Sequence, residues 1–391
     1  MSEKRISRKE LAKQNRKKNK RRKNLRTLMI VAITAVLVYI TGIYGASLAY
    51  LGDFVASGMT YLQIGKGFPV EDDFSTFLQG GNMGSGLAVL TQDSFLVYSP
   101  TGKNVFSYSH SMQNPAMDSS ENRAVIYERN RTSLKIANNH NILFHKEMSN
   151  SIIHADISDS NRVAVTTRSD SYNGEVTVYN YNMEERFVWY CARGFPVYSV
   201  LSDSGRTMAV CAVQTVNGLL QSDIYVIDAA KGREKFTVSG GAYPHKIIFI
   251  DDDNMLVAYS DRLVIYNTRS GEIRATYRPG VGSLLAVENA SPYIAATFGG
   301  YTGGQTSYTV LLSRTFEEKL KLEIPERVKD LSLSHSRLYI LGEENLYEYD
   351  YAATLLNTVY TGSLTHGLVT WNGTILMDST ALTKVEKTKS R

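Results

Sequence analysis

The chain has 391 residues and a formal net charge of +5, from 43 Lys and Arg against 38 Asp and Glu. The charge is unevenly distributed: residues 1–26 contain 13 Lys and Arg with two Glu, whereas the rest of the chain carries 30 Lys and Arg with 36 Asp and Glu. The mildly acidic remainder excludes a large basic nucleic-acid-binding domain. Two cysteines exclude a fold held by several disulfides, and their spacing leaves open whether Cys191 and Cys211 pair.

An uncharged segment, Thr27–Leu51, follows the basic tail directly. As a helix it would be about 37 Å long, enough to cross a hydrocarbon core of about 30 Å. Basic residues that stop at the start of such a segment predict a cytoplasmic N-terminus, a single span and a C-terminal domain outside the cell membrane. Membrane lipid is therefore an expected partner of Thr27–Leu51 and of the tail, and nucleic acid is not. A cleaved signal peptide with its site near Ser47–Ala49 is the alternative.

The sequence after this segment divides into a connector and one long domain. Residues 52–66 are predicted to be a juxtamembrane connector with a ring-closing strand, after a tail at 1–26 and a signal anchor at 27–51. Residues 67–386 contain short β-rich runs that are separated by clusters of Ser, Asp, Asn and Gly, with no helical pattern of ten residues. The sequence therefore predicts an all-β domain outside the membrane.

The polar clusters recur with a regular period. Asx and Ser side chains bond nearby backbone amides, and Asn and Gly tolerate positive φ, so such clusters predict tight hairpin turns. Each precedes an apolar strand, and the strands begin near Leu87, Arg123, Arg162, Arg206, Met255, Tyr293, Arg337 and Thr374. A period of about 40 residues with four strands per unit indicates a β-propeller. We predict eight blades, with seven as the alternative.

The last unit has only three predicted strands, and a propeller that failed to close would expose two strand edges. The connector offers the nearest donor, since Tyr61–Ile64 has strand character. We therefore expect this segment to complete the last blade, and deletion of Met59–Lys66 to lower the melting temperature strongly.

Several stretches carry a family resemblance: Gly67–Phe74, Gly86–Lys103, the Asn114-Pro115 and RAVIYERN region, and VTVYNYN followed by Trp189. With the basic tail and anchor, they make the chain similar to an uncharacterised family of single-pass propeller proteins from clostridial Firmicutes, among the WD40-, YVTN- and quinoprotein-like propellers. The resemblance implies architecture and compartment but no particular activity. The chain lacks repeated WD dipeptides and the tryptophan docking pattern of quinoprotein enzymes.

Candidate site residues fall into two groups. Two long loops, in the fourth and sixth units, are expected on one rim, where propellers place function; their candidate binding residues are Val213, Gln214, Asn217, Gln221, Tyr301, Thr302 and Gln305. Polar residues near the starts of units are expected to line the central channel: His154, Asp156, His245 and His366. The sequence contains no nucleophile elbow and no metal-ligand spacing. We therefore predict no catalytic residue, no cofactor and no metal site.

These features favour a binding platform, anchored in the membrane, for a protein or a cell-envelope polymer. One alternative is a glycan- or peptide-acting hydrolase or lyase, which would need an acid/base pair such as His154 and Asp156 facing His245 or His366. The other alternative is an extracellular sensor.

Overall fold

The computed structural model describes residue 29 and residues 46–280, 282–299, 306–334, 336–363 and 365–385. The chain divides into two compact units, Met1–Gly52 and Asp53–Arg391. One helix, α1 (Ala46–Leu62), begins in the first unit and ends in the second. All strands of the described residues belong to the second unit.

Thirty-two strands form eight four-stranded antiparallel sheets in the described residues. The first strand is β1 (Val70–Glu71). Blades 1 to 4 contain, four strands to each blade in chain order, β2 (Phe77–Met83), β3 (Gly86–Thr91), β4 (Ser94–Tyr98), β5 (Asn104–Ser109), β6 (Pro115–Ser119), β7 (Ala124–Glu128), β8 (Ser133–Ala137), β9 (Ile142–Glu147), β10 (Ile152–Ile157), β11 (Val163–Thr167), β12 (Gly174–Tyr179), β13 (Glu185–Cys191), β14 (Phe195–Leu201), β15 (Thr207–Val216), β16 (Leu219–Asp228) and β17 (Arg233–Gly241).

Blades 5 to 7 follow the same order, and blade 8 has three strands from the C-terminal part. These strands are β18 (Pro244–Asp251), β19 (Asn254–Tyr259), β20 (Leu263–Asn267), β21 (Ile273–Tyr277), β22 (Ser283–Ala290), β23 (Tyr293–Gly299), β24 (Ser307–Ser313), β25 (Glu318–Ile324), β26 (Asp330–Ser334), β27 (Arg337–Leu341), β28 (Asn345–Asp350), β29 (Leu355–Tyr360), β30 (Thr365–Thr370), β31 (Thr374–Asp378) and β32 (Ala381–Val385). The fold is an eight-bladed β-propeller, so the prediction of eight blades is confirmed.

Within each blade we name the strands A to D from the channel outwards. Because the strands alternate in direction, the A–B and C–D turns lie on one face of the disc, which we call the AB face. The B–C turns and the D–A connections lie on the other face, the BC face. The B strands are covered by neighbouring blades on both sides: every residue of β11 (Val163–Thr167) is buried. This explains the missing alternation of apolar and polar residues in these strands.

The polar clusters form the predicted A–B turns. Asn161 and Gly205 adopt positive φ of 57° and 65°, and the Ser158 and Ser202 N–H groups close their hairpins on the carbonyls of Arg162 and Thr207. Glycine has no β-carbon, and the Asn side chain bonds to the nearby backbone, so both residues tolerate positive φ. The turn residues therefore fix the register of each A–B hairpin, and the spacing of these hairpins along the chain is the repeat of the sequence.

The last blade is closed from the N-terminal side, but not by the predicted segment. Strand β1 pairs with β32, with Val70 opposite Leu382 and Glu71 opposite Ala381. The expectation that Tyr61–Ile64 forms the closing strand is wrong, because Tyr61 and Leu62 end helix α1. At the same seam Trp371, 1% exposed, donates its indole N–H to the Gly84 carbonyl of blade 1 (2.8 Å).

Within the described residues, no helix has both the length and the apolar character that a bilayer span requires. Most of the predicted anchor Thr27–Leu51 lies outside the described residues, so its span stays a prediction. Both cysteines are buried free thiols, which answers the question that their spacing left open.

Candidate functional site

The central channel contains a cavity of about 650 Å³. Its walls come mainly from the A strands of blades 2 to 5, with Gln79 of blade 1. The polar residues of its lining include Asp118, Arg129, His154, Asp156 and His245. The structure thus brings three of the four predicted channel residues, His154, Asp156 and His245, to one cavity.

Two carboxyl groups in this wall hold neighbouring blades together. Asp118 accepts a hydrogen bond from the backbone N–H of Ile157 in the next blade, and Asp156 accepts one from Leu201 in the blade after that, both at 2.8 Å. Asp330 accepts the same kind of bond from Leu368 at 2.9 Å. These carboxylates satisfy backbone donors that would otherwise be buried without a partner. Their first role is therefore to tie one blade to the next.

The same two carboxyl groups interact with each other. Burial raises the pKa of Asp118 to about 6. Burial, and then the negative charge of Asp118, raises the pKa of Asp156 well above its usual value. Two adjacent carboxyls that cannot both ionise share a proton. Asp156 is therefore the carboxyl that holds the shared proton more tightly, and Asp118 accepts the hydrogen bond from it.

His154 is a packing residue between blades. Its ring lies edge-on to Tyr127 and Tyr198, with centroids 6.2 Å and 6.0 Å away. Burial, and then the nearby positive charge of Arg129, lowers the pKa of His154 to about 4, so the ring is neutral at pH 7. Its buried Nδ1 has no hydrogen-bond partner.

The other two predicted channel residues, His245 and His366, are exposed. His245 is exposed on the cavity wall in blade 5. His366 lies in blade 8, where its exposed ring contacts that of Phe77 with centroids 5.3 Å apart. Asp156 is bonded to a backbone amide and His154 is packed between two tyrosines, so both residues serve the contact between blades, and His366 does not line the cavity that holds them.

The fourth-unit loop is a long hairpin of blade 4. Strands β15 and β16 have ten residues each, and their ladder runs out to Val216 opposite Leu219. The turn at Asn217 and Gly218 has φ of 53° and 77°, the positive values that a two-residue hairpin turn needs. The hairpin therefore projects as an ordered strand pair rather than as an irregular loop.

The predicted hairpin residues have different surroundings. Val213 lies between Phe195 and Ser222 in the ladder. Gln214 pairs with Gln221 across the hairpin and donates to the Asp223 carboxylate at 2.8 Å. The remaining candidates, Tyr301, Thr302 and Gln305, lie outside the described residues.

A group of exposed apolar side chains surrounds this hairpin on the BC face. We call it the blade 3–4 patch; its members, from 48% to 67% exposed, are Tyr172, Tyr190, Phe195, Leu219 and Leu220. The rings of Tyr172 and Tyr190 stack with centroids 4.7 Å apart. All five come from B–C turns, D–A connections or the strand ends beside them.

The members of the patch are neighbours through the sheets that carry them. Gly174, at the base of the turn that holds Tyr172, has room for no β-carbon, since one would lie 2.5 Å from Pro196 Cγ. Pro196 follows Phe195, and Phe195 lies opposite Val213 of the long hairpin. The Gly174 contact therefore brings blades 3 and 4 together at the patch.

The geometry defines an eight-bladed β-propeller with an apolar patch on one face and a polar cavity in its channel. The chain belongs to a family of unknown function, DUF5711, whose model matches residues 64–370. The family match confirms that the chain belongs to an uncharacterised propeller family, while the clostridial origin of the family and the membrane anchor of the chain stay predictions. No curated protein matches the chain.

Solved structures with similar folds include three propellers of low sequence identity. BamB from Moraxella catarrhalis is 13% identical, with a TM-score of 0.56, and covers 82% of this chain and 100% of its own. Sqt1 from Saccharomyces cerevisiae is 9% identical (TM-score 0.63; 83% and 100% covered). Sqt1 from Chaetomium thermophilum, bound to the N-terminus of the ribosomal protein L10, is 12% identical (TM-score 0.57; 81% and 98% covered). At these identities the likeness shows the fold alone.

Proposed function

We propose that this protein is a membrane-anchored platform that binds a protein partner through the blade 3–4 patch. The observation that carries the proposal is the patch itself. Five large apolar side chains, from 48% to 67% exposed and all at the BC face of blades 3 and 4, are more than the scattered exposed apolar residues of an ordinary surface. Aromatic side chains on a rigid sheet are the residues that anchor protein interfaces at low cost in conformational entropy.

The patch favours a protein over an envelope polymer. Tyr172 and Tyr190 already stack on each other, so each ring has one face fewer to offer to a sugar. Leu219 and Leu220 add aliphatic surface at the hairpin tip, which packs well against apolar side chains. A propeller that holds a polypeptide segment has a precedent in the Sqt1 complex with the N-terminus of L10.

The charge distribution of the sequence supports a location outside the cell membrane. The basic tail at 1–26 directly precedes the uncharged segment Thr27–Leu51, the order that places an N-terminus in the cytoplasm. The propeller would then meet its partner on the outer side, close to the membrane. The enzyme alternative receives less support, because Asp118 and Asp156 are engaged by backbone amides.

The proposal can be tested by site-specific photo-crosslinking in intact cells of the native host. A photoreactive amino acid replaces Phe195 or Leu219, and in the control it replaces Ile273, which is 60% exposed on the outer strand of blade 5. We expect one discrete protein adduct from both patch positions and none from Ile273. Adducts of equal pattern at all three positions, or none from the patch, would overturn the proposal.

A further inference from the structure

Helix α1 packs on the propeller with its polar face. Asp53, Ala56 and Thr60 are each at most 5% exposed, and their spacing places them on one side of the helix. Asp53 forms a buried ion pair with Arg123 (2.8 Å). His140 Nε2 lies 3.0 Å from both the Thr60 hydroxyl and the Ala56 carbonyl.

The contacts continue along the helix and the segment after it. The Ser57 hydroxyl donates to that of Ser85 at 2.8 Å, and the carbonyl of Gln63 accepts from Thr101 Oγ1 at 2.7 Å. The propeller partners of α1 and of this segment include Ser85, Thr101, Arg123, Asn138 and His140, all in A–B or C–D turns of blades 1 and 2. The helix is therefore docked on the AB face, opposite the blade 3–4 patch.

The outward side of the same helix is apolar. Phe54 is 74% exposed and Leu62 is 79% exposed, and the other exposed apolar residues of this side are Val55, Met59 and Tyr61. A surface helix normally turns its apolar stripe to the protein and its charged side to water. Here the arrangement is inverted, and it needs an apolar medium on the outside.

The surrounding sequence identifies that medium. Between Arg26 and Lys66 the only charged residue is Asp53, and its carboxylate is buried against Arg123. The outward surface of residues 54–65 therefore carries no charge. A charge-free apolar helix face that continues directly from a 25-residue uncharged segment fits lipid, whereas a protein interface has a polar rim.

We propose that the outward face of α1, formed by Phe54, Val55, Met59, Tyr61 and Leu62, lies in the bilayer at the membrane surface. The polar face of the same helix then holds blades 1 and 2 against the membrane. This inference rests on the proposed anchoring and adds an orientation to it: the AB face is directed towards the lipid and the blade 3–4 patch away from it.

The test uses the full chain in vesicles of phosphatidylcholine and phosphatidylglycerol, with an environment-sensitive fluorophore on single introduced cysteines. The variants are Phe54→Cys, Met59→Cys and Leu62→Cys, and the matched control is Ile273→Cys, an exposed residue on an outer strand. Unsubstituted chain, whose two cysteines are buried, measures background labelling. Flotation of the vesicles measures anchoring separately, and quenching by lipids with a nitroxide near the headgroup measures contact with the bilayer.

We expect the chain to float with the vesicles, and the nitroxide lipid to reduce the emission at positions 54, 59 and 62 by about twofold or more, with no change at 273. A chain that floats but is quenched equally at all positions, or at none, overturns the lipid-facing helix and leaves the anchoring intact. Emission at positions 54, 59 and 62 that neither the nitroxide lipid nor the aqueous quencher iodide reduces also overturns the lipid-facing helix, because a second copy of the chain then covers that face. A chain that does not float refutes both proposals.

Discussion

The buried ion pair between Asp53 and Arg123 is the contact on which the docking of helix α1 depends most. The side chains are 4% and 3% exposed, and the pair is 2.8 Å apart. Asn138 donates a second hydrogen bond to Asp53, and Arg123 also donates to the Tyr181 carbonyl. In Asp53→Ala, the guanidinium would lose its anionic partner and keep the Tyr181 carbonyl and the face of the Phe144 ring, whose centroid is 6.0 Å from Arg123 Cζ.

The expected cost follows from that isolation. Removing one partner of a buried ion pair costs about 3–5 kcal/mol, because the other charge stays buried without compensation. The chain can avoid this cost by releasing α1, which returns water to Arg123. The penalty therefore acts mainly on docking, and at 1.4 kcal/mol per factor of ten it corresponds to about two to three and a half orders of magnitude in the docking equilibrium.

Hydrogen exchange of the full chain in lipid nanodiscs, followed by mass spectrometry, measures this equilibrium at residues 53–65. We expect much faster exchange there in Asp53→Ala than in the wild type, with blade 5 unchanged. The matched control is Asp253→Ala, which breaks an exposed ion pair with Arg269 (2.7 Å; 40% and 76% exposed) and should cost less than about 1 kcal/mol. Unchanged exchange in Asp53→Ala, or an equal effect of the control, would refute the reasoning.

Three further predictions concern stability. Trp371→Ala removes a buried side chain from the seam between blades 8 and 1 and should cost about 3–5 kcal/mol in urea unfolding, whereas a loss below about 1 kcal/mol would contradict its closing role. The pKa of Asp156 is raised in the fold, so its ionisation destabilises the protein as pH rises from about 4 through the folded pKa. Asp156→Asn imitates the protonated form and should melt like the wild type at pH 4 but higher at pH 8; an equal difference at both pH values would count against the shared proton. Gly65→Ala would place a β-carbon 2.3 Å from the Thr101 carbonyl and should destabilise by about 1–3 kcal/mol, while Gly58→Ala, in α1 with open space around it, should stabilise by about 0.5–1 kcal/mol; thermal melts that rank the two variants the other way would contradict the docked connector.

The blades could be predicted from sequence because their signals are local. The turn at Ser158–Arg162 and the turn at Ser202–Arg206 repeat the same side-chain chemistry, and each fixes one hairpin without help from distant residues. The fully apolar B strands that follow are equally local. Eight repetitions of such signals gave the architecture and the blade count.

The closing strand and the docked helix could not be predicted in the same way. Strand β1 (Val70–Glu71) has two residues, too few to show a period, and its partner Leu382 lies more than 300 positions away in the sequence. The run Tyr61–Ile64 has β-forming residues, yet its first half continues a helix whose contacts join residues far apart in the chain. Tertiary contacts decided its conformation over local propensity.

The candidate site was predicted in part for a similar reason. The choice of Val213 to Gln221 as a candidate loop came from the length of one unit, and the patch lies around that hairpin. Phe195 and the stacked pair of Tyr172 and Tyr190 were missed, because exposure of an aromatic residue is visible only once the blades are packed. Asp118 and Asp156 hold equivalent positions in their blades, opposite Val125 and Ala164 of the next strand. Asp118 was missed because the turn that follows Asp156 is one residue longer, so the two carboxyls do not have the same spacing in the sequence.

The affinity of the crosslinked partner for the purified full chain tests the central claim most directly. The double variant Phe195→Ser and Leu219→Ser removes two exposed apolar side chains of the patch, and Ile273→Ser removes one of similar exposure elsewhere. We predict that Kd rises about thirtyfold or more for the double variant, as expected for loss of interface hot spots of 2 kcal/mol or more, with no change for Ile273→Ser. An unchanged Kd in the double variant, or an equal rise in the control, would contradict the account.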